Sequence, residues 1–243
     1  MIGIIGGSSL KSLKQMVIQK KEVVRTPFGI PSSPIILGTL FGAPIAFLAR
    51  HGVQHTIPPH LINYRANIWA LHHVGCQEIY AFSAMCSIND NISVKDIVIP
   101  DQLIDYTWDR KSTFFNSQIE TVQYTEFLEP YSSQARQKLI HAASEQSQPY
   151  HDNATYAITQ GPRYETRAEI ERYQRDGCHV IGMTGMPEAS LAQEIQADYA
   201  VCGLVTNVNT GNQQISHREI IANLNQTDQV FDGLLSALLT QPA

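Results

Sequence analysis

The run Tyr199-Ala200-Val201-Cys202-Gly203-Leu204-Val205 is strand-length and apolar almost throughout, and polar Thr206-Asn207 follows it at once. A strand with one wet face alternates apolar and polar residues. An uninterrupted apolar run suits a strand covered on both faces, as in a sheet sandwiched between helices. Further strands are expected at 2–5, 45–49, 78–82, 96–99, 154–158 and 180–183. Segments of helical period fall between them at 62–74, 132–145, 166–176, 187–196 and 216–239. Two of these helices open on capping boxes, Thr166-x-x-Glu169 and Ser216-x-x-Glu219. The alternation predicts an α/β fold whose twisted, mixed, mostly parallel sheet is flanked by helices.

The chain of 243 residues is long enough for one large domain or two small ones. With no repeat, low-complexity tract or Pro/Gly-rich linker to divide it, a single domain over 1–243 is expected. The net charge of −5, with acidic and basic residues interspersed, argues against a nucleic-acid partner. The first residues lack a basic segment and a cleavage pattern. The apolar region 35–49 is broken by Gly38, Gly42 and Pro44, and is too short to cross a bilayer. Cys76, Cys86, Cys178 and Cys202 show no C-x-x-C spacing, which points to a reduced, cytoplasmic protein.

In such folds ligands bind beyond the carboxyl ends of the strands, so those segments carry the functional reading. Gly6-Gly7-Ser8-Ser9 can cradle an anion with backbone and hydroxyl donors, or can be a plain strand–turn junction. It matches neither a dinucleotide fingerprint nor a P-loop. Arg50-His51-Gly52 can bind phosphate, or can be an ion-pairing Arg beside a loop His. His51-x-x-x-His55 has no carboxylate or Cys at a supporting spacing, so no metal is expected. In Gln160-Gly161-Pro162-Arg163-Tyr164-Glu165, Tyr164 can stack on a flat ring and Glu165 can accept from ring N–H groups. A helix entrance with a favourable acid accounts for Glu169, but less well for Gly161 to Tyr164. Thr184 offers a hydroxyl after a strand. Asn207 offers a donor and an acceptor, or simply forms a turn.

Taken together these segments resemble the trimeric purine nucleoside phosphorylase and methylthioadenosine phosphorylase family, over nearly the whole chain. The most specific pieces are Ala49-Arg50-His51-Gly52, the Asn63 to Leu71 block, Gly161-Pro162-Arg163-Tyr164-Glu165-Thr166 and Met183-Thr184-Gly185-Met186-Pro187-Glu188. The likeness is greatest to the bacterial branch acting on S-methyl-5′-thioinosine or other 6-oxopurine nucleosides. The resemblance implies a nucleoside phosphorylase-like fold and a homotrimer whose sites are completed by a neighbour, with Tyr124 and Phe114 as candidates for that lip. It implies a nucleoside and inorganic phosphate as substrates, with no metal or organic cofactor. Ser8, Arg50, His51, Ala84 and Thr184 would hold phosphate, Ala84 through its backbone N–H. Met183 would lie beneath the ribose, and Tyr164, Glu165 and Asn207 would meet the base.

The expected chemistry follows. Phosphorolysis stretches the C1′–N9 bond until the sugar is oxocarbenium-like and the purine negative, so the leaving base needs hydrogen bonds. Asn207 can donate to O6 and accept from a protonated N7. An ionised Glu165 suits the N1–H of a 6-oxopurine and repels the N1 lone pair of adenine. Adenine-preferring relatives carry Asp at the position of Asn207, so Glu165 with Asn207 points to hypoxanthine or guanine. His217, at the start of the last helix, stands where relatives contact the 5′ substituent. As a His it suits a 5′-hydroxyl, whereas the overall likeness favours a 5′-methylthio group. One departure is Ser83-Ala84-Met85-Cys86-Ser87, where Cys86 replaces a family glycine and can narrow the pocket. Asn209 is a second, since 6-oxopurine relatives do not need a polar residue there. Methylthioadenosine phosphorylase, a hydrolase using water and a non-catalytic nucleoside-binding protein are the alternatives.

Overall fold

The computed structural model describes residues 1–8, 10, 13–115, 123–211, 217–224 and 227–241. The strands are β1 (Ile2–Gly6), β2 (Val17–Glu22), β3 (Ile35–Leu40), β4 (Ala43–Ala49), β5 (Glu78–Ser87) and β6 (Ile97–Val98), then β7 (Gln102–Asp105), β8 (Tyr150–His151), β9 (Thr155–Ile158), β10 (Val180–Gly182) and β11 (Asp198–Val208). The helices are α1 (Tyr64–His73), α2 (Ser133–Ser144), α3 (Arg167–Arg175), α4 (Glu188–Glu194), α5 (His217–Leu224) and α6 (Thr227–Leu239). All the strands join one mixed sheet, with β2-β3-β4-β1-β5-β10-β9-β7 as its main path. Pairings β1–β4, β1–β5, β5–β11, β9–β10, β7–β9 and β6–β8 are parallel. Pairings β2–β3, β3–β4, β5–β10 and β6–β11 are antiparallel. The mixed, mostly parallel α/β sheet is the architecture expected.

Both faces are covered, as the apolar runs require. Ile5, Ile79, Tyr199 and Val201 pack on one side with Ile68 and Leu71 of α1 and Leu191 of α4. Their chain neighbours Ile4, Tyr80, Ala200 and Cys202 pack on the other with Leu139 of α2 and Phe231 and Leu234 of α6. This is the two-residue period of a strand read out as two separate cores. Helix starts are locally encoded: the Ser132 hydroxyl accepts from Ala135 N, and Thr166 with Glu169 forms the full capping box. The Ser216 box lies outside the described residues, and the expected 216–239 helix is α5 and α6 on either side of 225–226. No described helix is long and apolar enough to cross a membrane.

Several strands depart from expectation. β2, with sequence VIQKKE, has neither alternation nor an apolar run, because among the described residues it is an edge strand paired only with β3. The 35–49 region is a β3–β4 hairpin turned by Phe41 and Gly42, both at positive φ (49° and 84°). That is the two-residue geometry whose twist matches the flanking strands, here without its usual Asn-Gly. The expected 96–99 strand contracts to β6. β7 and β8, at four and two residues, were too short to be read from periodicity.

Two features position the site. β5 runs on to Ser87 and β11 to Val208, so Ser83 to Cys86 and Asn207 sit on strands rather than after them. β10 runs antiparallel to the far half of β5, with Ile181 opposite Cys86, which carries its exit back beside Ser83.

Candidate active site

A cavity of about 350 Å³ gathers side chains from segments remote in sequence. β1 leads to Ser8, and β4 to Arg50 and His51. β5 supplies Ser83 to Cys86, β10 leads to Met183 and Thr184, and β11 supplies Thr206 and Asn207.

Arg50 is only 1% exposed. Its Nε and Nη2 donate to the two carboxylate oxygens of Glu188 at 2.5 and 3.0 Å, and Nη1 donates to Phe82 O at 3.1 Å. Glu188 is fully buried and also accepts from the Tyr199 hydroxyl at 2.9 Å. Burial opposes the Arg50 charge, but Glu188 outweighs it and holds the pKa above the ordinary arginine value. The guanidinium is therefore a fixed cation with its plane set by a two-pronged carboxylate. Gly7 is what lets it lie there: a Cβ at that position would meet Arg50 Nη1 at 2.6 Å and Phe82 O at 2.8 Å. The Gly-Gly turn thus serves the approach of an arginine.

His51 is buried, and its Nδ1 donates to Ile57 O at 2.8 Å. Burial first, then the Arg50 charge, pull its pKa down to about 4. His51 is therefore neutral near pH 7, with Nε2 left as an acceptor; the charge of this corner comes from Arg50. The His55 ring packs 4.6 Å from that of His51, and His55 Nε2 lies 3.1 Å from Ser8 Oγ. Ser83 Oγ and Thr184 Oγ1, also on the cavity, are 3.2 Å apart, as the antiparallel course of β10 dictates.

Farther along β5 the wall changes character. From Ser83 to Cys86 is about 10 Å of strand. Here Asn207 Nδ2 donates to Cys86 Sγ at 2.9 Å, and Asn207 Oδ1 accepts from Thr206 Oγ1 at 3.1 Å. The contact depends on a β-bulge at Thr206: Val205 pairs with Met85 and Asn207 pairs with Cys86. Glu165 accepts from Thr159 Oγ1 at 2.8 Å, and burial raises its pKa despite that bond. Tyr164, 40% exposed, sits beside it at the mouth. Gly161, at φ +60°, passes so close to Met183 that a Cβ would lie 2.5 Å from its sulfur. Arg110 pins this loop by donating to Thr159 O, Gln160 O and Met186 O.

The structure brings Ser8, Arg50, His51, Ala84, Tyr164, Glu165, Met183, Thr184 and Asn207 onto this one cavity. His217 opens α5, but its side chain lies outside those described. From the same helix, Ile220, Ile221 and Leu224 line the cavity. Asn209 turns away from it: its Oδ1 accepts from Gly211 N at 3.0 Å, the turn-forming role. Phe114 packs on Phe28 at 5.0 Å and Tyr124 is 92% exposed; neither is on the cavity wall. Sequence reading missed Glu188 as the partner of Arg50, Thr159 as the donor to Glu165, and Ser83, His55 and Thr206. Glu188 carried a signal, a carboxylate at a strand-end helix start, but an acid is favourable at any helix start.

A family model described as the phosphorylase superfamily matches residues 1–240. A probable S-methyl-5′-thioinosine phosphorylase of Xanthomonas campestris pv. campestris is 42% identical over 240 residues, covering 98% of this chain and 96% of the relative. The 6-oxopurine nucleoside phosphorylase of Pyrococcus furiosus is 40% identical over 245 residues, covering 98% and 91%. The solved structure of methylthioadenosine phosphorylase from Schistosoma mansoni in complex with adenine superposes with a TM-score of 0.92 at 29% identity, covering 98% and 90%.

Proposed function

The chain belongs to the phosphorylase superfamily, and from that premise we propose that it cleaves 6-oxopurine nucleosides with inorganic phosphate, S-methyl-5′-thioinosine foremost. The observation that carries this reading is the two-ended cavity. A buried cation and hydroxyls stand at one end, and Glu165 with Asn207 at the other.

In this reading hydrogen phosphate lies against Arg50, Ser8, Thr184 and the Ala84 backbone. Neutral His51 accepts from the P–OH at Nε2. A phosphate oxygen bonds to C1′ as the C1′–N9 pair leaves with the purine, and the proton of hydrogen phosphate ends on the base. Products are the purine and a sugar 1-phosphate. Met183 supports the ribose, and Tyr164 covers the ring. Asn207 stabilises the departing base through hydrogen bonds that strengthen as negative charge develops. No step calls for a metal or organic cofactor. The four cysteines are free, which fits a reduced, cytoplasmic setting, and a homotrimer is the assembly we propose.

Ile220, Ile221 and Leu224 give α5 an apolar side toward the cavity, which favours a 5′-methylthio group over a hydroxyl. His217 remains the residue that would suit a 5′-hydroxyl. Rates with S-methyl-5′-thioinosine, inosine and methylthioadenosine at saturating phosphate test both ends of the assignment. Preference for the first supports it. Preference for inosine would overturn the 5′ assignment, and preference for methylthioadenosine the base assignment.

A further inference from the structure

Cys86 stands where the family pattern has glycine, and its sulfur faces the amide of Asn207. An amide has two ends of similar shape and opposite hydrogen-bonding sense, so its neighbours decide which end faces which way. The Cys86 thiol donates to Ser87 O at 3.6 Å, which leaves the sulfur lone pairs toward Asn207. A lone pair accepts from Nδ2 and repels Oδ1. On the other side Thr206 Oγ1 shares its one proton between Asn207 Oδ1 at 3.1 Å, the shorter contact, and Met85 O at 3.3 Å, and α5 fixes this bulge by Asn223 Nδ2 donating to Thr206 O at 2.7 Å. Each end of the amide is thus engaged once. One N–H of Nδ2 and one lone pair of Oδ1 remain, the donor and acceptor that O6 and a protonated N7 of a leaving 6-oxopurine require.

We propose that Cys86 is a positioning residue that fixes the Asn207 amide in the orientation serving a 6-oxopurine leaving group. This rests on the phosphorolysis reading above. A glycine at 86 offers no acceptor and leaves the amide held from one side only. The thiol need not react: burial, then the negative charge of Glu165, push its pKa up to about 12, so it stays S–H and its donor bond to Ser87 persists.

The test compares wild type, C86A and C86S on S-methyl-5′-thioinosine and methylthioadenosine, with thermal unfolding of each. Phosphate-dependent release of hypoxanthine by the wild type is measured first; its absence sinks the phosphorolysis reading itself. Given that activity, C86A is expected to lose about fivefold to tenfold in kcat, the scale of one misdirected hydrogen bond. KM for phosphate should stay within about twofold, since the Arg50 corner is untouched. The preference for the 6-oxopurine over the 6-aminopurine should fall by a similar factor. C86S, which restores an acceptor, should recover most of both. Should C86A fail to fold, C86G makes the same comparison. Unchanged kcat and preference in the variant lacking the thiol, a loss confined to KM, or C86S as impaired as that variant would each overturn the proposal.

Discussion

Arg50 and Glu188, 138 residues apart in the chain, meet as a two-pronged ion pair in which neither side chain is more than 1% exposed. Two charges taken from water repay the cost only with good geometry and further hydrogen bonds, and here Phe82 O and the Tyr199 hydroxyl supply them. The pair joins the end of β4 to the start of α4 and fixes the cation that phosphate would meet.

Glu188→Gln should therefore act at a distance. It leaves the Arg50 charge buried without its counter-charge, and a loss of about 3–5 kcal/mol is expected. Denaturant unfolding measures that loss, and initial rates should give a raised KM for phosphate. Stability within about 0.5 kcal/mol of wild type would mean that the pair is not a structural support.

Gly7→Ala tests the same corner from the other side. Its new methyl would push on Arg50 Nη1 and on the Phe82 carbonyl, which as backbone cannot swing away. The guanidinium must shift, and the KM for phosphate is expected to rise about tenfold or more. KM for nucleoside should change much less. A wild-type KM for phosphate would show that Arg50 does not depend on this glycine.

Glu165→Gln should weaken 6-oxopurine use by about 10- to 100-fold in kcat/KM, the worth of a hydrogen bond to a charged group. Stability at neutral pH should hold or rise. Burial raises the Glu165 pKa, so the folded protein binds that proton more tightly than the unfolded chain. Ionised Glu165 therefore disfavours folding at pH above its folded pKa, and the penalty is relieved as pH falls through it. Activity has the opposite dependence, with an acid limb displaced upward by that burial, which E165Q should lack. An acid limb unchanged in E165Q would assign it to another group.

His51 gives a second pH signature. Its pKa is about 4 in the folded protein against an ordinary 6.5, so between these the unfolded chain takes up a proton that the native state refuses. This contribution is fully present above about pH 6.5 and is lost as pH falls toward about 4. Denaturant midpoints across that window should decline in wild type and decline less in His51→Asn. Parallel slopes would mean that His51 is not held neutral.

Much of this was legible in residue order. Tyr199 to Val205 announced a doubly covered strand, and Arg50, Thr184, Glu165 and Asn207 stood at strand ends where ligands bind. The edge strand Val17–Glu22 was not legible, because pairing with β3 alone imposes no pattern on its side chains. The Arg50–Glu188 pair was hidden by its 138-residue separation. The role of Cys86 was left open for a related reason. Whether it crowds the pocket or supports Asn207 depends on the register of β5 against β11, which the bulge at Thr206 sets.

In the proposed reaction phosphate and a 6-oxopurine nucleoside share one cavity and react there. Its most direct test is release of hypoxanthine from S-methyl-5′-thioinosine, followed with and without inorganic phosphate. Base release is expected only with phosphate, matched mole for mole by 5-methylthioribose 1-phosphate. Release at the same rate without phosphate, yielding free methylthioribose, would contradict it, as would binding of the nucleoside with no turnover.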